Sequence, residues 1–143
     1  MKNTILYILT ILIIILVLII SKYNEIKNLE NEVKKFNAKY EIYLDREIYG
    51  NDIASVINKA VNDNENAGVK KDEKNRYIQN DKDSVNIEIK TTDIDKTFTM
   101  EVLYNGGMEQ FVKMYNGILF KSTKVEYNSE NKVSYILFEQ ITS

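Results

Sequence analysis

Side chains that could carry out catalysis or hold a metal are few in this 143-residue chain. It contains no histidine and no cysteine, which removes the commonest general base and every thiolate ligand. Two pairs of aspartates stand one residue apart, Asp81 with Asp83 and Asp93 with Asp95. Calcium loops use such pairs but continue with further oxygen ligands, a glycine and a distal glutamate, which neither stretch has. We interpret both pairs as solvated turns, with a weak calcium site as the alternative.

Two further stretches have residue types that suggest chemistry. The oxygen-rich run 62–66 could bind calcium weakly, but it is typical of a helix end. Gly106 and Gly107 lack the spacing of a phosphate-binding loop and indicate a break between a strand and a helix. No serine stands in a nucleophile-elbow context. We therefore expect a protein that is not an enzyme, with no catalytic residues, no metal and no cofactor.

Composition narrows the choice of partners. The 19 basic residues are balanced by 21 acidic residues and form no basic stripe, so we expect no nucleic-acid partner. The abundance of asparagine, lysine and isoleucine suggests a bacterial source. The ten tyrosines could form a platform for a carbohydrate or a peptide, but tyrosines more often lie in a core with the hydroxyl at its rim.

The elements that would position any site begin with an uncharged apolar segment, Ile5–Ile20. As a helix it is about 24 Å long, close to the thickness of a hydrocarbon core. The residues after it offer no cleavage site for a signal peptidase, and no flank is polar as in a buried core helix. We expect residues 1–21 to be a transmembrane signal anchor in the lipid bilayer. The short N-terminal tail favours a single-pass protein whose soluble domain is extracytoplasmic.

An amphipathic juxtamembrane helix is predicted for residues 22–49. Its apolar side chains recur every three or four residues, and Gly50 is expected to end it. The apolar stripe either packs on the protein's own sheet or forms a coiled coil with a copy or a partner. The stripe consists of Ile26, Leu29, Val33, Phe36, Tyr40 and Tyr43.

Residues 50–143 read as a small α+β domain. A short helix capped by Asn51 or Asp52 runs to Val61, and a solvated loop follows over residues 62–76. Alternating apolar residues predict a hairpin of strands at 85–90 and 97–102, and a second at 118–127 and 133–141. A helix at 108–115 lies between them. The fold class is therefore α+β, with a long N-terminal helix, a short second helix and a four-stranded antiparallel sheet with one inserted helix.

An apolar segment that continues as an amphipathic helix and then meets a sheet resembles the type IV pilins and the pseudopilins of type II secretion. In that family the first half of the helix lies in the membrane and the second half packs on the sheet. The resemblance implies these roles for Ile5–Ile20 and Ile26–Tyr43. The resemblance is one of architecture, since no glycine precedes Gly50 and no acidic residue precedes Glu25. The stretch 50–60 also resembles small uncharacterised single-pass proteins of low-GC bacteria.

Two functions follow as expectations. The first is a non-enzymatic, membrane-anchored extracytoplasmic protein, a pilin-like subunit of a pilus or secretion assembly at the cell envelope. Its partners would be other membrane or pilin-like subunits, docked through Ile26, Leu29, Val33, Phe36 and Tyr40. The second is a membrane-tethered binding module that recognises a peptide, a glycan or an envelope protein through its sheet or through loop 62–76.

Overall fold

The computed structural model describes residues 2–92 and 95–142, and these form two compact units. The first unit reaches Lys35 and is helical throughout its described residues. The second unit begins at Phe36 and contains every strand and the remaining helices of the described chain. The class is α+β, as the sequence predicts.

Helix α1 extends over Lys2–Glu41, which is shorter than predicted. After it, Asp45 adopts a left-handed backbone conformation with φ of 53°, and Glu47–Tyr49 forms strand β1. The prediction of a helix through residue 49 is therefore wrong over its last eight positions. Ile48 is buried between exposed Glu47 and Tyr49, and this alternation of period two suits a strand.

The sheet has five strands and is mixed, so the prediction of four antiparallel strands is wrong. The strands after β1 are β2 (Asn86–Thr91), β3 (Lys96–Thr99), β4 (Leu119–Tyr127) and β5 (Val133–Gln140). The strand order is β1-β4-β5-β2-β3. Both predicted hairpins are confirmed as antiparallel pairs, β2 with β3 and β4 with β5.

The two hairpins are joined by a parallel pairing of β2 with β5. In that register Ile87 lies opposite Ile136, and Ile89 lies opposite Phe138. All four side chains are buried, so the pairing lines up the apolar face of both hairpins. Short-range patterns specify each hairpin, but they carry no information on which strand of one hairpin lies beside the other.

Helix α2 extends over Gly50–Asn66 and differs from the prediction at both ends. Tyr49 rather than Asn51 or Asp52 precedes its first turn, and the Asp52 carboxylate accepts a hydrogen bond from the Tyr49 N–H at 3.1 Å. The helix also includes residues 62–66, which were expected to form a loop. Gly50 is required for close packing, because a Cβ at this position would overlap the carbonyl oxygen of Tyr115.

The predicted strand through Val102 is also wrong at its end. Strand β3 stops at Thr99, and a helical turn α3 covers Met100–Val102. A π-helical segment, Leu103–Gly107, leads into helix α4, Met108–Tyr115. Gly106 has φ of 137°, so the chain kinks where the glycine pair predicted a break. The helix predicted at 108–115 is confirmed.

One core holds the second unit together. Helix α2 contacts α4, β1 and β2, and its buried face is the one that the predicted helical spacing gives. Three aromatic rings pack together at the end of α4, with Phe111 and Tyr115 centroids 4.9 Å apart and Phe120 about 6 Å from each. The core includes Tyr40, Tyr43, Ile48, Ile53, Val56, Ile57, Ala60, Val61, Ile87, Ile89, Met100, Leu103, Phe111, Tyr115, Phe120, Ile136 and Phe138.

Candidate functional site

The apolar segment of α1 is the first candidate functional surface. The large apolar side chains of Ile5–Ile20 are exposed around the whole helix. A helix that is apolar on every face is normally covered by lipid or by other protein. The hydroxyl of Thr10 donates to the Leu6 carbonyl at 2.9 Å, so this polar group is satisfied within the helix. By length and composition, α1 is the one helix of the described residues that could cross a membrane.

The apolar stripe beyond the segment divides into two parts. Tyr40 and Tyr43 are buried in the core of the second unit, and half-buried Phe36 packs against the same core. Ile26 and Leu29 in the first unit are 56% and 54% exposed. The end of the stripe thus packs on the protein itself, and its beginning is exposed. Tyr40, expected to dock a partner, is fully buried.

A polar cluster fixes the end of α1 to α2. Asp63 accepts hydrogen bonds from the Lys39 ammonium at 2.6 Å and from the Tyr40 hydroxyl at 2.8 Å. Burial of the Tyr40 ring, together with the negative charge of Asp63, raises the pKa of the tyrosine above its usual value. Asn37 adds two bonds, donating to the Asn131 carbonyl and accepting from the Val133 N–H. These side chains attach the last turns of α1 to the rest of the second unit.

Asn64 forms a buried polar contact with both backbone groups of Val85. Its side chain is fully buried, accepts from the Val85 N–H at 2.8 Å and donates to the Val85 carbonyl at 2.8 Å. The burial of Asn64 and Asp63 was not predicted, because residues 62–76 were expected to form a solvated loop. One signal was present: Asn64 continues the spacing of Ile57 and Ala60 along the buried helical face.

An apolar groove is the second candidate surface. It lies between β3, which is an edge strand, and the segment from α3 to α4. Its volume is about 280 Å³, and its rim includes Val102 and Met114, which are 57% and 50% exposed. The Lys96 ammonium lies 4.5 Å from the centre of the Phe98 ring at one side. The groove could hold an apolar side chain of a peptide, with a cation beside it.

A polar cleft of about 370 Å³ lies on another side of the domain. Hydrogen bonds from the backbone and guanidinium of Arg76 hold the pKa of Asp72 below its usual value. Buried Glu101 accepts a hydrogen bond from the Tyr77 N–H at 3.2 Å. The hydroxyl of Thr99 has no hydrogen-bond partner among the described residues. The two carboxylates are thus engaged in structural bonds.

Of the aspartate pairs, only the first is fully described. Asp81 is exposed and accepts from the Ser129 N–H at 3.1 Å, and Asn80 organises the turn by accepting from the N–H groups of Lys82 and Asp83. This agrees with a turn. Asp93 lies outside the described residues. Within residues 2–92 and 95–142, no cluster of three acidic side chains is arranged to hold a metal ion.

Comparisons with protein-family models, with curated proteins and with solved structures gave no match. The long apolar N-terminal helix followed by a small mixed sheet is consistent with a pilin-like architecture.

Proposed function

We propose that this chain is a single-pass membrane protein whose extracytoplasmic domain acts by non-covalent association, as a pilin-like subunit of an assembly at the cell envelope. The observation that carries the proposal is the exposed, uncharged surface of Ile5–Ile20 on a helix whose last turns belong to the core of a folded domain. One helix, α1, thus includes both the proposed anchor and a part of the domain's core.

The free energy of membrane insertion supports the first part of the proposal. Fourteen of the sixteen residues from Ile5 to Ile20 are leucine, isoleucine or valine. At about 0.3 to 0.6 kcal/mol each, they favour insertion by about 4 to 8 kcal/mol. In water this surface would promote aggregation of the protein, because it is apolar on every side of the helix.

Association rather than catalysis is supported by the state of the polar side chains. Asp63, Glu101 and Asp72 each hold a structural hydrogen bond or ion pair. A general acid or base must lie within hydrogen-bond reach of the substrate, whereas these carboxylates are hydrogen-bonded to groups of their own chain. The exposed apolar surfaces, Ile5–Ile20 and the groove beside β3, suit docking.

Crosslinking in native membranes tests the proposal. Because the sequence contains no cysteine, single-cysteine variants of the full chain report on one position at a time. Leu29→Cys should give discrete crosslinked species, whereas Asn28→Cys, on another face of the same helix, should give few. Ser129→Cys, in an exposed turn, should react with a membrane-impermeant maleimide in intact cells. Exclusively monomeric protein at every position would contradict the assembly role.

A membrane-tethered binding module is the second candidate, and the groove beside β3 favours it. A photoreactive residue at Met114 should then form adducts that the same residue at Ile42 does not. Ile42 is a suitable control because it is exposed to a similar extent and does not line the groove. Equal labelling at both positions would argue against a specific ligand in the groove.

A further inference from the structure

The first part of the helical stripe has acidic residues on both of its flanks. Ile26, Leu29 and Val33 recur at intervals of three and four residues along one face of α1, where Ile26 and Leu29 are exposed and Val33 is half-buried. At about 100° per residue, Glu25 and Glu32 lie on one side of these residues and Glu30 lies on the other, each about 70° to 90° from the centre. We call these six residues the acidic-flanked stripe.

The lysines of this region lie on the opposite side of the helix. Lys27, Lys34 and Lys35 are more than about 100° from the centre of the stripe. Lys22 is the exception, and its ammonium is 2.7 Å from the Glu25 carboxylate on the same helix. A surface that faces the stripe therefore meets carboxylates on both flanks.

The stripe lies beyond the hydrocarbon. Ile26 follows Ile20 by about 9 Å along the helix axis and Val33 by about 20 Å, so lipid tails cannot cover it. A phospholipid surface is also a poor partner, because the flanking carboxylates would face anionic headgroups. Another helix that runs beside α1 can cover these side chains over their full length.

A second copy of this chain fits poorly. In a parallel pair built on the stripe, Glu25 of one helix lies beside Glu30 of the other, and the contact occurs twice by symmetry. Like charges at these positions weaken a helix pair, whereas a lysine or arginine at either one strengthens it. The charges thus select against the chain itself and favour a partner with basic flanks.

We infer that residues 22–35 pair in parallel with a different membrane-spanning helix that carries lysine or arginine on both sides of its own apolar stripe. The inference rests on the proposed membrane anchoring and names the partner chemistry for it. The charges set the choice of partner, and the apolar side chains supply most of the buried area.

The test uses the full chain in neutral phosphatidylcholine vesicles with three labelled peptides of residues 2–35. The first peptide is unchanged, the second carries E25K and E30K, and the third carries N24K, N28K and N31K on the back of the helix. The third adds nearly as much positive charge as the second without placing it beside the stripe. Energy transfer from the labelled chain reports pairing, and flotation reports insertion of the chain.

We expect the E25K/E30K peptide to pair at about tenfold lower peptide-to-lipid ratio than either of the others, because two repulsive contacts become attractive. The advantage should shrink in 0.5 M salt. Equal or stronger pairing of the unchanged peptide would overturn the inference and identify a second copy as the occupant. If the third peptide pairs as strongly as the E25K/E30K peptide, the inference is overturned, because the attraction then depends on total positive charge and not on its position.

Two further outcomes separate the inference from the function on which it rests. An inserted chain that pairs with none of the peptides would overturn the inference and leave the membrane anchoring intact. A chain that does not float with the vesicles would overturn both.

Discussion

Replacing Asn64 tests whether the contact between α2 and the start of β2 stabilises the domain as strongly as its geometry indicates. In Asn64→Ala, the N–H and carbonyl of Val85 both lose their partner. Each buried group left without a hydrogen bond costs about 1 to 3 kcal/mol. Alanine returns about 0.5 kcal/mol through its higher helix propensity. For the two groups together, we therefore expect the free energy of unfolding to fall by about 1.5 to 5.5 kcal/mol.

Asn62→Ala is the matched control. Asn62 lies in the same helix and is exposed, so its replacement should leave stability unchanged or raise it by a few tenths of a kcal/mol. Urea unfolding of the full chain in detergent micelles, followed by tyrosine fluorescence, gives both values from one experiment. A loss below about 1 kcal/mol in Asn64→Ala, or equal losses in both variants, would refute the reasoning.

Asn64→Asp adds a dependence on pH. A buried carboxylate would face the Val85 carbonyl, so its pKa should be raised in the folded state. The protonated acid can still donate to that carbonyl and accept from the N–H. Stability should therefore be greatest below about pH 4, where the acid is neutral in both states, and should fall as the pH rises through the folded pKa. Stability that rises over the same range would contradict this account.

Three further predictions concern other contacts of the fold. Gly50→Ala should lower the free energy of unfolding, measured by urea titration, by about 2 kcal/mol or more, because the new Cβ would overlap the Tyr115 carbonyl. Gly117→Ala should change this free energy little, because the space around Gly117 is open. Tyr40→Phe should cost about 1.5 to 3 kcal/mol through the lost bond to the Asp63 carboxylate, while exposed Tyr23→Phe should cost nothing measurable. Because the pKa of Tyr40 is raised in the folded state, wild-type stability should also fall as the pH rises above about 10, and the fall should be shallower in Tyr40→Phe. The double variant L12K/I15K should lose about 6 to 8 kcal/mol of insertion free energy, so alkaline carbonate should extract it from membranes. The control N28K/N31K should remain in the membrane fraction. Retention of L12K/I15K would contradict a spanning helix.

The sequence allowed the individual elements of the sheet to be predicted better than their arrangement. Ile87 and Ile89 alternate with polar residues, and this local pattern was enough to place β2. The parallel contact between β2 and β5 joins residues about 50 positions apart, so no short pattern specifies it. Strand β1 was missed because three residues with one buried side chain, Ile48, satisfy a helical spacing as well as an extended one.

The polar contacts were harder to predict than the apolar ones. Asp63 and Asn64 have the composition of a loop, and their burial depends on partners far away in the sequence, Lys39 and Val85. The groove beside β3 was not predicted, because Met100 was assigned to a strand and the break at Gly106 did not indicate how α4 would lie against β3. By contrast, Ile5–Ile20 was evident from the sequence alone, since an uncharged apolar run of this length is rare in soluble proteins.

The central position of β5 has a consequence for biosynthesis. This strand is synthesised last of the five, yet both β4 and β2 form hydrogen bonds to it. Until residues 133–140 have left the ribosome, β4 and the β2–β3 hairpin have no common neighbour and the apolar face of the sheet stays open. The sheet of the domain therefore cannot be completed before β5 has been synthesised.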